Sequence, residues 1–263
     1  MSEKVIAYYD DYTSRVGEDS RATSSRSAGL EFYYTKKALG DFITKESRVL
    51  EIGAGTGYYG MYFADQCKEY VGVELYQPHV DIFNQKIREK GLTNITCKPG
   101  NALNLESIPD NSFDVVCCLG PMYHLPPQDR ALAFAECARV CRPGGIAAFA
   151  YINKVGVYAG ACVRAEDYYP SAEANDAVLI QGTDDLKPDV FYFTMPEEME
   201  AAAQKHGLTK IRNMGTDFFV TSVVVDRMDD EKFALYMALA DEMVKYESCT
   251  GMSNHALLIC KKQ

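Results

Sequence analysis

The chain has no tryptophan and only four histidines among its 263 residues. Its aromatic surface therefore comes from 18 tyrosines and 12 phenylalanines. Positive charge is scarce too: 27 Lys and Arg stand against 37 Asp and Glu, a formal net charge of −10. That balance excludes a large nucleic-acid footprint, because phosphate binding draws on a basic surface. No apolar run approaches the roughly 20 residues of a membrane helix, so no membrane partner is expected. Met1-Ser2-Glu3-Lys4 leads into a polar segment, not an apolar one, so no secretory signal is expected. The nine cysteines are odd in number and scattered. No triplet is spaced for an iron–sulfur cluster, which excludes radical chemistry on one. Cys117, Cys118 and Cys260 sit in apolar runs. Reduced, buried thiols and a cytoplasmic location are the expectation. Cys137 and Cys141 share a helical face, but two further ligands are missing nearby, and no metal site is expected.

What is present begins with a hydrophobic content of 47%. That suits one large domain, or one domain with an elaborated cap. The chain is organised around Val49-Leu50-Glu51-Ile52-Gly53-Ala54-Gly55-Thr56-Gly57-Tyr58-Tyr59-Gly60. A short apolar strand runs into a glycine turn, then into residues that suit a helix. Strand, turn and helix N-terminus together make a nucleotide site at the carboxyl end of a parallel strand. A dinucleotide fingerprint would want its third glycine at Tyr58 when counted from Gly53. Counted from Gly55 the spacing fits, but the strand then ends too early. Glu51 decides between ligands. A carboxylate repels a pyrophosphate and suits the ammonium of an amino-acid moiety.

The rest of the chain alternates strand and helix. Strands are expected near 48–53, 70–74, 95–98, 113–118 and 146–152, and helices over 57–67, 78–90 and 127–141. This rhythm predicts an α/β fold with a doubly wound, mostly parallel sheet. Residues 1–45 read as an N-terminal helical lid. Within it Leu30, Tyr33, Tyr34 and Ala38 mark one helix face. A helix packed on the sheet edge, with tyrosines as cover, is the other reading of this segment. The domain proper spans 46–263, with cap insertions at about 153–194 and 216–250. Thr194 is the expected cap of a helix beginning at Met195-Pro196. A strand near 208–214, a helix near 229–246 and a last strand near 255–261 complete seven strands.

Glu51-x-Gly53-x-Gly55-x-Gly57 resembles motif I of the Rossmann-like S-adenosylmethionine (SAM) methyltransferases. Gly120-Pro121-Met122-Tyr123-His124-Leu125 resembles the Gly-Pro-Leu-Tyr-His-Leu signature of a bacterial small-molecule branch, with Met122 in place of Leu. The N-terminal tyrosines, the Arg142-Pro143-Gly144-Gly145 turn and Ser253-Asn254-His255-Ala256-Leu257 extend the resemblance over most of the chain. It implies a seven-stranded methyltransferase sheet, SAM as cofactor and a small-molecule substrate. Gly53, Ala54, Gly55 and Gly57 would shape the cofactor loop, and Glu51 would meet the methionine end. Glu74 closes the second strand about 20 residues beyond Gly53, where a carboxylate accepts both ribose hydroxyls. Leu75 follows it in the cofactor-contact set. The resemblance assigns adenine to Asn101 and Ala102, and the cover over the site to Leu119. Tyr9, Tyr12 and Arg26 are lid-contact candidates.

Methyl transfer from a sulfonium is an in-line displacement, so the protein supplies alignment and a dry cleft. A base is needed only for a nucleophile that still holds its proton. His124 is the candidate base and Tyr123 the candidate orienting group; a structural histidine is the other reading of His124. His79 is expected to face solvent, and His206 and His255 to be structural. Three rival functions share these features: a protein or RNA methyltransferase, an NAD-dependent oxidoreductase, and a non-catalytic SAM-binding module. Either a monomer or a homodimer fits the sequence.

Overall fold

The computed structural model describes residues 2–15, 18–164, 172–184, 190–218 and 224–263. The parts of the expected insertions at 165–171, 185–189 and 219–223 lie outside the described residues. Helices α1 (Ser2–Arg15) and α2 (Arg26–Gly40) precede strand β1 (Arg48–Ile52). Then come α3 (Tyr58–Phe63), β2 (Glu69–Glu74), α4 (Gln77–Glu89), β3 (Ile95–Pro99), β4 (Phe113–Cys118), α5 (Pro127–Val140) and β5 (Cys141–Ile152). Helices α6 (Lys154–Arg164), α7 (Ala172–Asp176) and α8 (Pro196–Lys205) lead to β6 (Leu208–Gly215), α9 (Asp230–Met243) and β7 (His255–Lys262).

The seven strands form one sheet in the order β3-β2-β1-β4-β5-β7-β6. The first five are mutually parallel, and β7 inserts antiparallel between β5 and β6. The sheet starts at β1, winds outward to β3, then returns to β4 on the other side of β1. At that reversal the carboxyl ends of β1 and β4 open a crevice, the usual ligand site of such sheets. Both faces of the central strands are covered. Val49 packs in one apolar cluster, Leu50 and Ile52 in the other. Continuous apolar runs such as Val115 to Cys118 follow from this two-sided burial.

Several local expectations need correction. The Arg-Pro-Gly-Gly stretch interrupts the pairing of β5 without ending it. Phe113 pairs with Cys141 and Val115 with Ile146, so the intervening residues of β5 bulge outward. The cap of α8 is Met195, not Thr194. The Thr194 hydroxyl instead donates to Glu198 Oε2 at 2.7 Å. The insertion after β5, expected to be irregular, contains α6 and α7. On α2, Leu30, Tyr34 and Ala38 are buried as expected but Tyr33 is exposed. Phe32 is buried in its place, its ring 4.7 Å from that of Tyr58. The helix is covered on two sides, since Tyr34 reaches Asp241 of α9 at 3.2 Å.

Candidate active site

The crevice holds a cleft of about 1070 Å³, counted out to its open mouth. Its floor is the turn after β1. Gly53 and Ala54 donate their backbone N–H groups to Val73 O at 2.8 and 3.2 Å. Gly53 has φ +78°, and an added Cβ would lie 2.6 Å from Pro121 Cδ. The absent side chain is what lets the loop after β4 cross directly over the turn. Gly55 also has a positive φ, yet its nearest outside atom would be Glu18 Cγ at 3.8 Å. Its open side is cleft. Gly57 serves another purpose. It is not part of the cleft wall, and an added Cβ would fall 2.2 Å from Phe83 Cδ2. Phe83 of α4 is fully buried, and Gly60 and Gly72 also yield to its ring. The third glycine of the motif therefore accommodates a core phenylalanine.

Glu51 is buried at the end of β1, beside the cleft. Tyr70 of β2 donates its hydroxyl to Glu51 Oε2 at 2.8 Å. Burial is the main force on the carboxyl and raises its pKa to about 8; the Tyr70 bond opposes this and the Glu74 charge adds to it. Glu74 closes β2 and binds backbone at both oxygens. Gly55 N donates to Oε2 at 2.8 Å and Tyr76 N to Oε1 at 2.9 Å. Each carboxylate oxygen keeps a further lone pair for a ligand hydroxyl. Leu75, Asn101, Ala102 and Leu119 complete this side of the cleft. The Asn101 side-chain oxygen accepts from Leu103 N at 3.0 Å, which fixes the turn after β3.

The opposite wall comes from the loop after β4 and from α1. Tyr123 donates its hydroxyl to Leu119 O at 3.0 Å. His124 Nδ1 lies 2.8 Å from Val190 O, and a carbonyl can only accept, so Nδ1 carries the proton. Nε2 is then a bare acceptor and takes the Tyr9 hydroxyl at 3.1 Å. Burial pushes the His124 imidazole down to about 4, against the Val190 bond and helped by Arg21. Burial also holds the Tyr9 phenol well above its ordinary range. This Tyr9–His124 pair fastens α1 across the cleft. Tyr76 adds a second tie by donating to Asp10 at 2.6 Å. Replacing Tyr9 by Phe should cost about 1–2 kcal/mol, because a buried imidazole nitrogen loses its donor. Chemical denaturation of the variant against the parent protein checks this.

Of the residues expected here, Tyr9, Glu51, Gly53, Ala54, Gly55, Glu74, Leu75, Asn101, Ala102, Leu119, Tyr123 and His124 all border the cleft. Three do not. Gly57 lies behind Phe83. Tyr12 borders two adjoining cavities. Arg26 binds Met228 O and Asp229 O at 2.7 and 2.9 Å and covers the Phe233 ring, tying α2 to α9. The arginine at the cleft is Arg21, held by Glu18 at 2.7 Å and set over the Phe32 ring. No local pattern in the sequence singles out Arg21 over Arg26. His79 is also a correction: it is buried and borders the cleft, since Tyr9 and Tyr76 close over it.

Residues 49–145 match the family model described as the methyltransferase domain. The Bacillus subtilis methyltransferase YcgJ is 35% identical over 100 residues, covering 38% of each chain. A ubiquinone biosynthesis O-methyltransferase of Stutzerimonas stutzeri is 28% identical over 162 residues, 61% of this chain and 64% of that one. The chain thus spans less than two thirds of the length of these curated relatives. A solved S-adenosylmethionine-dependent methyltransferase from Mesorhizobium loti superposes with a TM-score of 0.58 at 15% identity, over 90% of this chain and 100% of that one. At that identity the likeness carries the fold. The stretch similar to a methyltransferase domain thus runs from β1 to the bulge of β5, and the sheet that carries it has the Rossmann-like methyltransferase fold.

Proposed function

We propose that the chain is a SAM-dependent methyltransferase whose acceptor is a small molecule. Glu51 carries this reading. Its buried carboxyl borders the cleft, and a phenol hydroxyl binds it there. The ammonium of an amino-acid tail would draw the proton off this carboxyl and gain a counter-charge, whereas a diphosphate would keep it protonated and gain none. The residues fit the cofactor in two further respects. Gly55 leaves backbone open to a ligand, and Glu74 is fixed by two backbone N–H groups at the place for a ribose.

Bound SAM would supply an electrophilic methyl on a sulfonium. The chain would do the rest. Glu51 would hold the amino-acid end, Glu74 the ribose hydroxyls, and Asn101 with Ala102 the adenine edge. Leu119 and Tyr123 would keep water from the reacting atoms. His124 stands at the wall as a neutral imidazole whose Nε2 already accepts Tyr9. It can take a proton from an acceptor only after Tyr9 turns away, so its first role is to position α1. The roof that α1 makes favours a compact acceptor over a polymer.

Replacing Glu74 by Ala should weaken SAM binding by roughly 10- to 100-fold, since each hydrogen bond to a charged group contributes about 1.5–3 kcal/mol. Calorimetric titration of both proteins with SAM, and with NAD in parallel, measures this. Unchanged SAM affinity would remove the ribose assignment. Tight NAD binding with no SAM binding would overturn the reading as a whole.

A further inference from the structure

Beyond Tyr9 and Tyr123 lies a second cavity of about 550 Å³. It shares Tyr9, Glu18, Arg21 and Tyr123 with the cleft. Its far side is built by Tyr8, Tyr12, Ile152, Phe191 and His255. The aromatic rings are set against one another. Tyr8 stacks on Tyr12 at 5.8 Å and meets Phe191 edge-on at 5.2 Å. An aromatic lining of this kind suits a ligand with an aromatic body, and a tyrosine face left free attracts a cation.

A chain of charged groups leads from Glu18 and Arg21 on the shared wall to His255 on the far side, with Glu31 and Asp217 behind it. Glu18 binds Arg21 at 2.7 Å. Glu31 lies 3.8 Å from both Arg21 and His255. His255 Nδ1 lies 2.7 Å from Asp217 Oδ2. Burial works against the His255 charge, but Glu31 and Asp217 outweigh it and push the imidazole up to about 9. Burial likewise works against Asp217, and the charge and hydrogen bonds of His255 hold its carboxyl low. Three acidic side chains, Glu18, Glu31 and Asp217, thus meet two basic ones, Arg21 and His255. Each cation already has a carboxylate at 2.7 Å. One acceptor does not have a donor: Glu18 Oε2 is buried and finds no hydrogen-bond partner among the described residues. A buried carboxylate oxygen in that state costs free energy until a donor reaches it.

We propose that this second cavity seats the methyl acceptor, and that the acceptor carries a protonated amine held by Glu18 within the tyrosine wall. The proposal rests on the adjoining cleft being the SAM site. The ammonium is a recognition handle: while protonated it has no lone pair with which to accept a methyl.

The test uses the full chain saturated with S-adenosylhomocysteine. It is titrated by calorimetry with 2-phenylethylamine, 2-phenylethanol and phenylacetate, which differ chiefly in the charge of the head group. The amine should bind at least about tenfold more tightly than either of the others, a difference of about 1.4 kcal/mol. In Glu18→Gln the amine should fall to within about threefold of the alcohol. Equal binding of alcohol or carboxylate in the parent protein, no binding of the amine, or a preference that survives Glu18→Gln would each overturn the proposal. Failure of S-adenosylhomocysteine itself to bind would overturn the cofactor reading instead. The same series, run on the protein without cofactor, would then still report the selectivity of the cavity.

Discussion

Glu51→Gln should make the protein more stable and, at the same time, nearly unable to bind SAM. The stability half follows from proton linkage. In the unfolded chain this carboxyl ionises near its ordinary value of 4.5, whereas in the fold it holds its proton up to about pH 8. Between those values the unfolded state binds fewer protons, so stability falls as pH rises. The cost is complete above about pH 8 and reaches at most about 5 kcal/mol. Glutamine never ionises, and its side-chain oxygen can still accept the Tyr70 hydroxyl. The variant should therefore melt higher than the parent at pH 8 and about equally at pH 4.5. Thermal denaturation across that range reads both ends.

The binding half has the opposite sign. An ammonium seated on Glu51 needs the ionised carboxylate, so SAM binding near pH 7 should expel up to one proton. Affinity should rise with pH up to about 8 and then level off. Calorimetry in two buffers of different ionisation enthalpy counts the proton. Loss of one partner of a buried charge pair costs about 2–5 kcal/mol, so Glu51→Gln should bind SAM at least about 30-fold more weakly at pH 8. A variant that gained stability but kept its affinity would detach Glu51 from the cofactor.

The second large effect separates two glycines of one motif. Gly57→Ala should destabilise the protein by about 3–5 kcal/mol. The new Cβ would enter the Phe83 ring, and the residue would have to hold φ +88°. The Phe83 ring is enclosed by Gly57, Gly60 and Gly72, so it has little freedom to yield. Gly55→Ala has only its φ of +51° to overcome, and should lose about 1 kcal/mol while staying folded. Its methyl would point into the cleft, so SAM affinity should drop by about tenfold or more. Denaturation and SAM titration of the two variants give a crossed pattern. If Gly57→Ala folded normally and lost only affinity, the third glycine would be a ligand contact after all.

Much of the site was legible before the fold was known. Glu51, Gly53 and Gly55 stand next to one another in sequence, and a strand followed by a turn fixes their relative placement over a few residues. Glu74 was legible for a similar reason: one strand–helix–strand unit brings the end of β2 beside the end of β1, and Glu51 pairs with Gly72 in register. Arg26 and Arg21 show where such reasoning ends. Both lie in the same polar stretch, and nothing local says which one reaches the cleft. The choice fell to contacts more than 200 positions away, where Met228 and Asp229 take Arg26. The burial of His79 is not legible in its own helix, because it depends on Tyr9 of α1 closing over α4.

The residue order alone determined the alternation of strands and helices, the parallel sheet, and the acid and glycines of the first turn. Those features depend on backbone conformation and on hydrophobic period, which act over a few residues. Tertiary structure alone decided that Gly57 serves Phe83, that Arg21 and Glu18 border the cleft, and that His124 is spent on Tyr9. It also joined Glu31, Asp217 and His255 along one wall, from three distant parts of the chain. Burial and charge pairing set the state of these groups, and both depend on which segments meet in space.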